Sequence, residues 1–175
     1  HSLARAALDQ LGQQQDAGLV VSLCSVALRA QADLVTSRAD RVIRDAAVQE
    51  TAQLLAMAEH AAEGDTGALG RANLLLCRAE AARASMKQSA DPWGSVVAEW
   101  ERLECPYPTA YARWRQAQEL LGSRSRAQGT RAMALALRTA VELRSAPLQD
   151  ALRTLARHAG VPASDLEDAP PPTSA

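Results

Sequence analysis

The chain has 175 residues, 47% of them hydrophobic and only 3% aromatic, and a formal net charge of -1. That length suits a single domain with a substantial core, and the near-neutral balance gives no global reason to expect nucleic acid. Cys24, Cys77 and Cys105 are odd in number and far apart, with no histidine at ligand spacing. This argues against a disulfide framework or a zinc site and points to reduced thiols in a cytoplasmic protein.

In chain order, residues 3 to 12 predict a short helix with Leu3, Ala7, Leu8 and Leu11 on one side, closing at Gly12. From about Asp16 a longer helix carries Leu19, Val20, Leu23, Val26, Ala27, Ala30 and Leu34, a stripe broad enough to be buried on more than one side. Its apolar run from Gly18 to Leu28 is shorter than the roughly 20 residues of a membrane span, and no signal peptide is visible. Thr36-Ser37 interrupts it. A third helix from about Ser37 to Ala62 is expected to bury Val42, Ile43, Ala46, Ala47, Leu54, Leu55 and Ala58. Thr66 is placed to cap a fourth, whose buried face would be Leu69, Ala72, Leu75, Leu76, Ala79, Ala82 and Met86.

Asp91-Pro92 is a helix start signal, and the stretch from Trp93 to Trp114 that follows holds all five aromatics of the chain. Trp93, Val96, Val97, Trp100 and Leu103 follow a helical period, as do Tyr107, Tyr111, Trp114, Ala117 and Leu121, with Pro106 and Pro108 between the two runs. Two facing helices are implied. Large rigid rings bury far more area than alanine, so Trp93, Trp100, Tyr107, Tyr111 and Trp114 are expected to form the best core of an alanine-rich chain. A seventh helix from about Ser125 to Arg144 would bury Met133, Leu137, Ala140 and Val141, with Gly129 in its first turn, and an eighth runs from Pro147 to near Gly160. Residues 162 to 175 contain proline, serine and acids and read as a flexible linker. No strand-like alternation survives, so the expected fold is all-α. Its antiparallel helix pairs would form a tetratricopeptide-like, right-handed array of about seven to eight helices, one domain spanning 1 to 161.

The chemistry of a catalyst is sparse. No G-x-S-x-G or G-x-x-x-x-G-K-[ST] motif occurs, and Lys87, the sole lysine, has no glycine loop before it. His60 and His158 are isolated, and acid pairs such as Glu99 and Glu101 fall on an exposed helical flank. No enzyme activity, metal or cofactor is therefore expected. Residues 107 to 160 carry nine arginines against Glu119, Glu142 and Asp150, a local charge of about +6. Arg113, Arg115, Arg124, Arg126, Arg131 and Arg138 form the candidate interaction surface, Arg113 and Arg115 being read as pointing away from Trp114.

Three segments carry a resemblance: LLLCRAEAARA from Leu74, PWGSVVAEWERLECPYPTAYARWRQAQELL from Pro92, and ALRTAVELRSAPLQDALRTLARHAGV from Ala136. In order and spacing these resemble the carboxy-terminal helical region of large actinobacterial LuxR-family transcriptional regulators. There an ATPase domain is followed by tetratricopeptide-like helices and then a helix-turn-helix. The family usually has glycine where this chain has Arg144, and commonly arginine where it has His158. The resemblance implies a non-catalytic module that senses an effector, protein or small molecule, and passes its state to the neighbouring ATPase and DNA-binding domains, without reading DNA itself or touching a membrane. The chain, opening at His1-Ser2, would be a fragment that stops short of the DNA-binding domain. A freestanding helical adaptor for a protein partner, and a helical small-molecule-binding domain with an aromatic pocket, are the alternatives.

Overall fold

The computed structural model describes residues 16–37, 40–85, 92–123 and 125–167, and among these the fold is all-α. Eight helices follow in order: α1 (Ala17–Thr36), α2 (Arg41–Ala61), α3 (Gly67–Ala84), α4 (Pro92–Arg102), α5 (Pro106–Leu121), α6 (Arg126–Glu142), α7 (Ala146–Ala159) and α8 (Ala163–Glu167). The expected helix at residues 3 to 12 lies outside the described residues. The chain divides into two compact units, one up to Pro92 and one from Trp93.

In the first unit, aspartates start the helices. Asp16 accepts from the Gly18 and Leu19 amides, Asp40 from the Val42 amide and Asp65 from the Gly67 amide, satisfying donors that have no partner inside the helix. Asp65, not Thr66, is thus the side chain that caps α3. Helix α1 is central and packs on both α2 and α3, as its broad apolar stripe predicts. Its Val20, Val21, Cys24, Ala27 and Leu28 meet Leu54 and Ala58 of α2 and Cys77 and Ala81 of α3, while Ala32, Val35, Ala47 and Ala84 form a second, smaller cluster. By length and composition α1 is apolar enough to cross a membrane, which corrects the shorter run counted from sequence; half of that window is buried inside the unit, as in a core helix.

Several expected core positions face solvent instead. Leu19 and Val26 of α1 and Leu69 of α3 are exposed, and on α2 Val42 is 76% exposed, with Ile43 and Ala46 exposed beside it. The physical reason is that each stripe is broader than the partner surface available to it. The inward side of α3 is made instead by Gly70, Ala72, Cys77, Ala79, Glu80, Ala81 and Ala84. Leu75, Leu76 and Ala82 are half-buried, and Met86 lies outside the described residues.

In the second unit α6 is central and packs on α5, α7 and α8. Its core joins Ala110 and Ala117 of α5, Ala132, Met133, Ala136 and Ala140 of α6, Leu148, Leu152 and Ala156 of α7, and Val161. Val141, expected inside, is exposed. Gly129 is required by close approach: a Cβ there would sit 2.8 Å from the Leu121 side chain and 3.0 Å from its backbone nitrogen. The segment expected to begin a flexible linker at residue 162 instead forms α8, because Leu166 has the second core to pack against; residues 168–175 lie outside the described residues.

Three helix ends in this unit share one turn. Glu104 (φ 52°), Arg144 (φ 52°) and Gly160 (φ 60°) are left-handed. In each case the next amide bonds back five residues, from Cys105 to Trp100 (3.0 Å), Ser145 to Ala140 (2.9 Å) and Val161 to Ala156 (3.0 Å). The left-handed residue's own amide bonds back three, so all three are Schellman endings. Pro106, Pro147 and Pro162 follow within three residues and prevent the helix from continuing. A side chain in this conformation costs about 1 kcal/mol relative to glycine. Glu104→Gly and Arg144→Gly should therefore each raise the unfolding free energy by about 0.5–1 kcal/mol, and Gly160→Ala should lower it by about 1 kcal/mol, in urea titrations.

Candidate functional site

The aromatic stretch forms a packed cluster in the second unit. Trp93 and Tyr111 meet edge to face with ring centroids 6.3 Å apart, as do Tyr111 and Trp114 at 5.6 Å, both geometries that suit ring quadrupoles. Trp93 is fully buried and its indole N–H donates to Glu119 Oε1 at 3.2 Å. Trp100 and Tyr111 are also buried, and Trp114 is half-buried. Tyr107, expected in this core, is 43% exposed. It shares the helical stripe of Tyr111 but sits in the first turn of α5, where the burial of the helix begins only at Thr109.

The arginines are used differently from the expectation. Arg115 does not point away from Trp114. Its guanidinium carbon lies 3.9 Å from the Trp114 ring centroid and 5.2 Å from that of Tyr111, its Nε donates to the Tyr111 hydroxyl at 3.0 Å, and Nη1 donates to Gln118 at 3.0 Å. It is buried. Adjacent helical residues diverge at the backbone, but a long stem one turn after Tyr111 curls back over both rings. Arg113 is mostly buried and ion-paired with Glu101 of α4. Arg126 donates to the Ala159 and Gly160 carbonyls at 2.6 and 3.0 Å, closing the end of α7. Arg138 is half-buried, Arg131 is exposed, and Arg124 lies outside the described residues. The candidate arginine surface thus loses Arg113 and Arg115 to packing.

Replacing Arg115 with alanine uncovers Trp114 and removes the hydrogen bond that Arg115 donates to the buried Tyr111 hydroxyl, which should cost about 2–3 kcal/mol. Arg131→Ala should stay within about 0.5 kcal/mol of the parent in the same unfolding assay.

The first unit contains two polar features and a groove that sequence reading missed. Asn73 of α3 accepts from the Ser25 hydroxyl and donates to that of Ser22, both at 3.1 Å, fixing the register of α3 on α1. Glu80 is fully buried and receives Arg83 Nε at 2.7 Å; Arg83 Nη1 also pairs with Asp33 at 2.9 Å and Nη2 donates to the Arg29 carbonyl. A glutamate inside a run of alanines was the available signal, since a buried carboxylate requires a paired cation.

The groove lies between α2 and α3 and has a volume of about 440 Å³. Val48, Thr51, Ala52 and Leu55 line it from α2, Arg78, Ala81, Ala82 and Ala84 from α3, and Ser85 from just past the end of α3. Alanine side chains are too short to fill the space between two helices, so the walls stay apart. The Thr51 hydroxyl donates to the Ala47 carbonyl at 2.8 Å, and the Ser85 hydroxyl is within 3.0 Å of the Ala81 and Ala82 carbonyls. These bonds turn the hydroxyl protons toward the helices and leave the lining mostly apolar. At the rim Arg78 Nε donates to Glu59 Oε1 at 3.0 Å, a bridge that joins the two walls. The sequence placed Leu55 and Ala82 on apolar helix faces, but the gap between those faces was not legible in it.

No protein-family model, curated protein or solved structure matches the chain.

The thiols respond to the same packing. Burial pushes the Cys24 thiol from 9.0 up to about 11, and raises that of Cys77 further, by burial first and then by the charges of Cys24 and Glu80. The Cys77 thiol points at the Val21 carbonyl, 3.6 Å away. Because the folded state holds these protons more tightly, their contribution is complete below the ordinary thiol value and is lost as the pH rises through the folded values. Unfolding free energy should therefore fall between about pH 9 and 11 in a urea titration series. Thiol alkylation of the folded chain at neutral pH should modify the half-buried Cys105 first and reach Cys24 and Cys77 only on unfolding.

Proposed function

We propose that this chain is a non-catalytic helical interaction module of a LuxR-family ATPase-containing transcriptional regulator. Its tetratricopeptide-like helix pairs would couple an effector to the neighbouring ATPase and helix-turn-helix domains in the cytoplasm. The observation that carries this reading is the end of α6. The regulators that the sequence resembles usually place glycine there, and Arg144 occupies the left-handed conformation that a glycine would favour. The turn into Pro147-Leu148 is therefore retained despite the substitution, with both of its backbone hydrogen bonds. Leu148 then enters the core, which gives the Pro-Leu pair of the resemblance a packing reason. The small-molecule form of the effector is favoured by the groove between α2 and α3, whose size falls within the range of ligand pockets.

The test is the mass and peptide map of the native protein, read beyond both ends of this sequence. A P-loop ATPase before it and a LuxR-type helix-turn-helix after it are the expected result. Flanking sequence of any other kind, or a natural chain that ends near Ala175, overturns the regulator reading and leaves the helical adaptor.

A further inference from the structure

We propose that the groove between α2 and α3 binds a small molecule with an apolar body and a single oxygen-acceptor head, a carboxylate or an amide carbonyl. This inference stands on the groove alone and holds whether or not the chain belongs to a regulator.

The body is specified by the walls. Val48, Ala52, Leu55, Ala81, Ala82 and Ala84 offer methyl and methylene surface, and the hydroxyls of Thr51 and Ser85 are hydrogen-bonded back to their own helices. An apolar ligand loses water-exposed area on entering and leaves no wall group unsatisfied. A strongly polar body would give up water without finding partners.

The head is specified by Arg78. A guanidinium has five N–H donors and no acceptor. The one side-chain bond that Arg78 makes among the described residues uses Nε, donated to Glu59, and its Nη groups remain available at the groove that its side chain lines. Glu59 holds the guanidinium in place and offsets its charge, so the rim presents oriented donors with little net charge. Such a rim accepts an oxygen acceptor, whether anionic or neutral, and disfavours a cationic head, which would meet the guanidinium that lines the groove while the Glu59 carboxylate stands outside that lining. Size agrees: about 440 Å³ falls within the range of small-molecule pockets.

The test uses the whole 175-residue chain with three eight-carbon probes, octanoate, octanamide and octylammonium, titrated below their aggregation thresholds by calorimetry and by amide chemical shifts. Octanoate or octanamide is expected to bind saturably, with shifts centred on Val48, Ala52, Leu55 and Ala82, and at least tenfold more tightly than octylammonium. Filling the groove with Ala52→Leu, a substitution at an exposed position, should abolish binding while leaving the thermal melt unchanged. Arg78→Met keeps the apolar stem and removes the donors, and should weaken the acceptor-headed probes about tenfold while strengthening octylammonium, which no longer meets the guanidinium and finds the Glu59 carboxylate unpaired. If both acceptor-headed probes bind, their ratio tells whether charge or hydrogen bonding dominates at the rim. The proposal is overturned if neither binds saturably, if octylammonium binds as well as they do, or if binding survives Ala52→Leu in a chain that melts as the parent does.

Discussion

The whole structure depends on helices approaching closely through small side chains. An alanine-rich chain has little side-chain volume with which to exclude water, so burial requires backbones to come near each other. In the first unit this is seen where α1 meets the start of α3. A Cβ on Gly70 would lie 2.3 Å from the Thr66 side chain, which folds back over that glycine, and 3.4 Å from the Gly18 backbone. In the second unit Gly129 lets the beginning of α6 reach the Leu121 backbone, and Ala132, Ala136 and Ala140 continue the same contact along α6. The central positions of α1 and α6 follow, since each is the helix that several others must approach.

The same constraint explains the groove. The short side chains of an alanine-rich face bury area only when the facing helix touches them or when a third element fills the gap. Helices α2 and α3 both pack firmly on α1 but only lightly on each other, so their outer alanines line open space. The Arg78–Glu59 bridge spans that space at the rim without closing it. The aromatic cluster is the opposite solution. Trp93, Tyr111 and Trp114 supply volume in one place, and Arg115 closes over Tyr111 and Trp114, so the cluster is a packing device that consumes a cation rather than displaying one.

Helix endings give the second unit its connections. Left-handed residues at Glu104, Arg144 and Gly160 each terminate a helix with the same pair of backbone bonds, and a nearby proline prevents continuation. Two of the three are not glycine, which means that the turn is enforced by its hydrogen bonds and by the packing on either side, at a local conformational cost. The first unit solves the matching problem at helix starts, where Asp16, Asp40 and Asp65 satisfy free amides.

The sequence by itself determined the helical class, most helix bounds and the position of the aromatic core. Period, caps and prolines are local signals, and local signals are carried by neighbouring residues. Met133 and Ala140 were legible for the same reason. The sequence also showed that α1 was apolar on more than one side, and the structure supplies the two partners that use those sides. What only the tertiary structure decided is which part of each broad stripe finds a partner. Val42, Ile43, Val26 and Tyr107 satisfy the helical period yet lie exposed, because periodicity records a face and says nothing of what covers it. Arg115 and Glu80 are the converse case. Both are charged residues that a sequence pattern places outside, and both are buried with partners on their own helix folded over them: the Trp114 and Tyr111 rings for one, the Arg83 guanidinium for the other. The groove belongs to the same class, since it is a gap between two helices whose distance apart is set by a third.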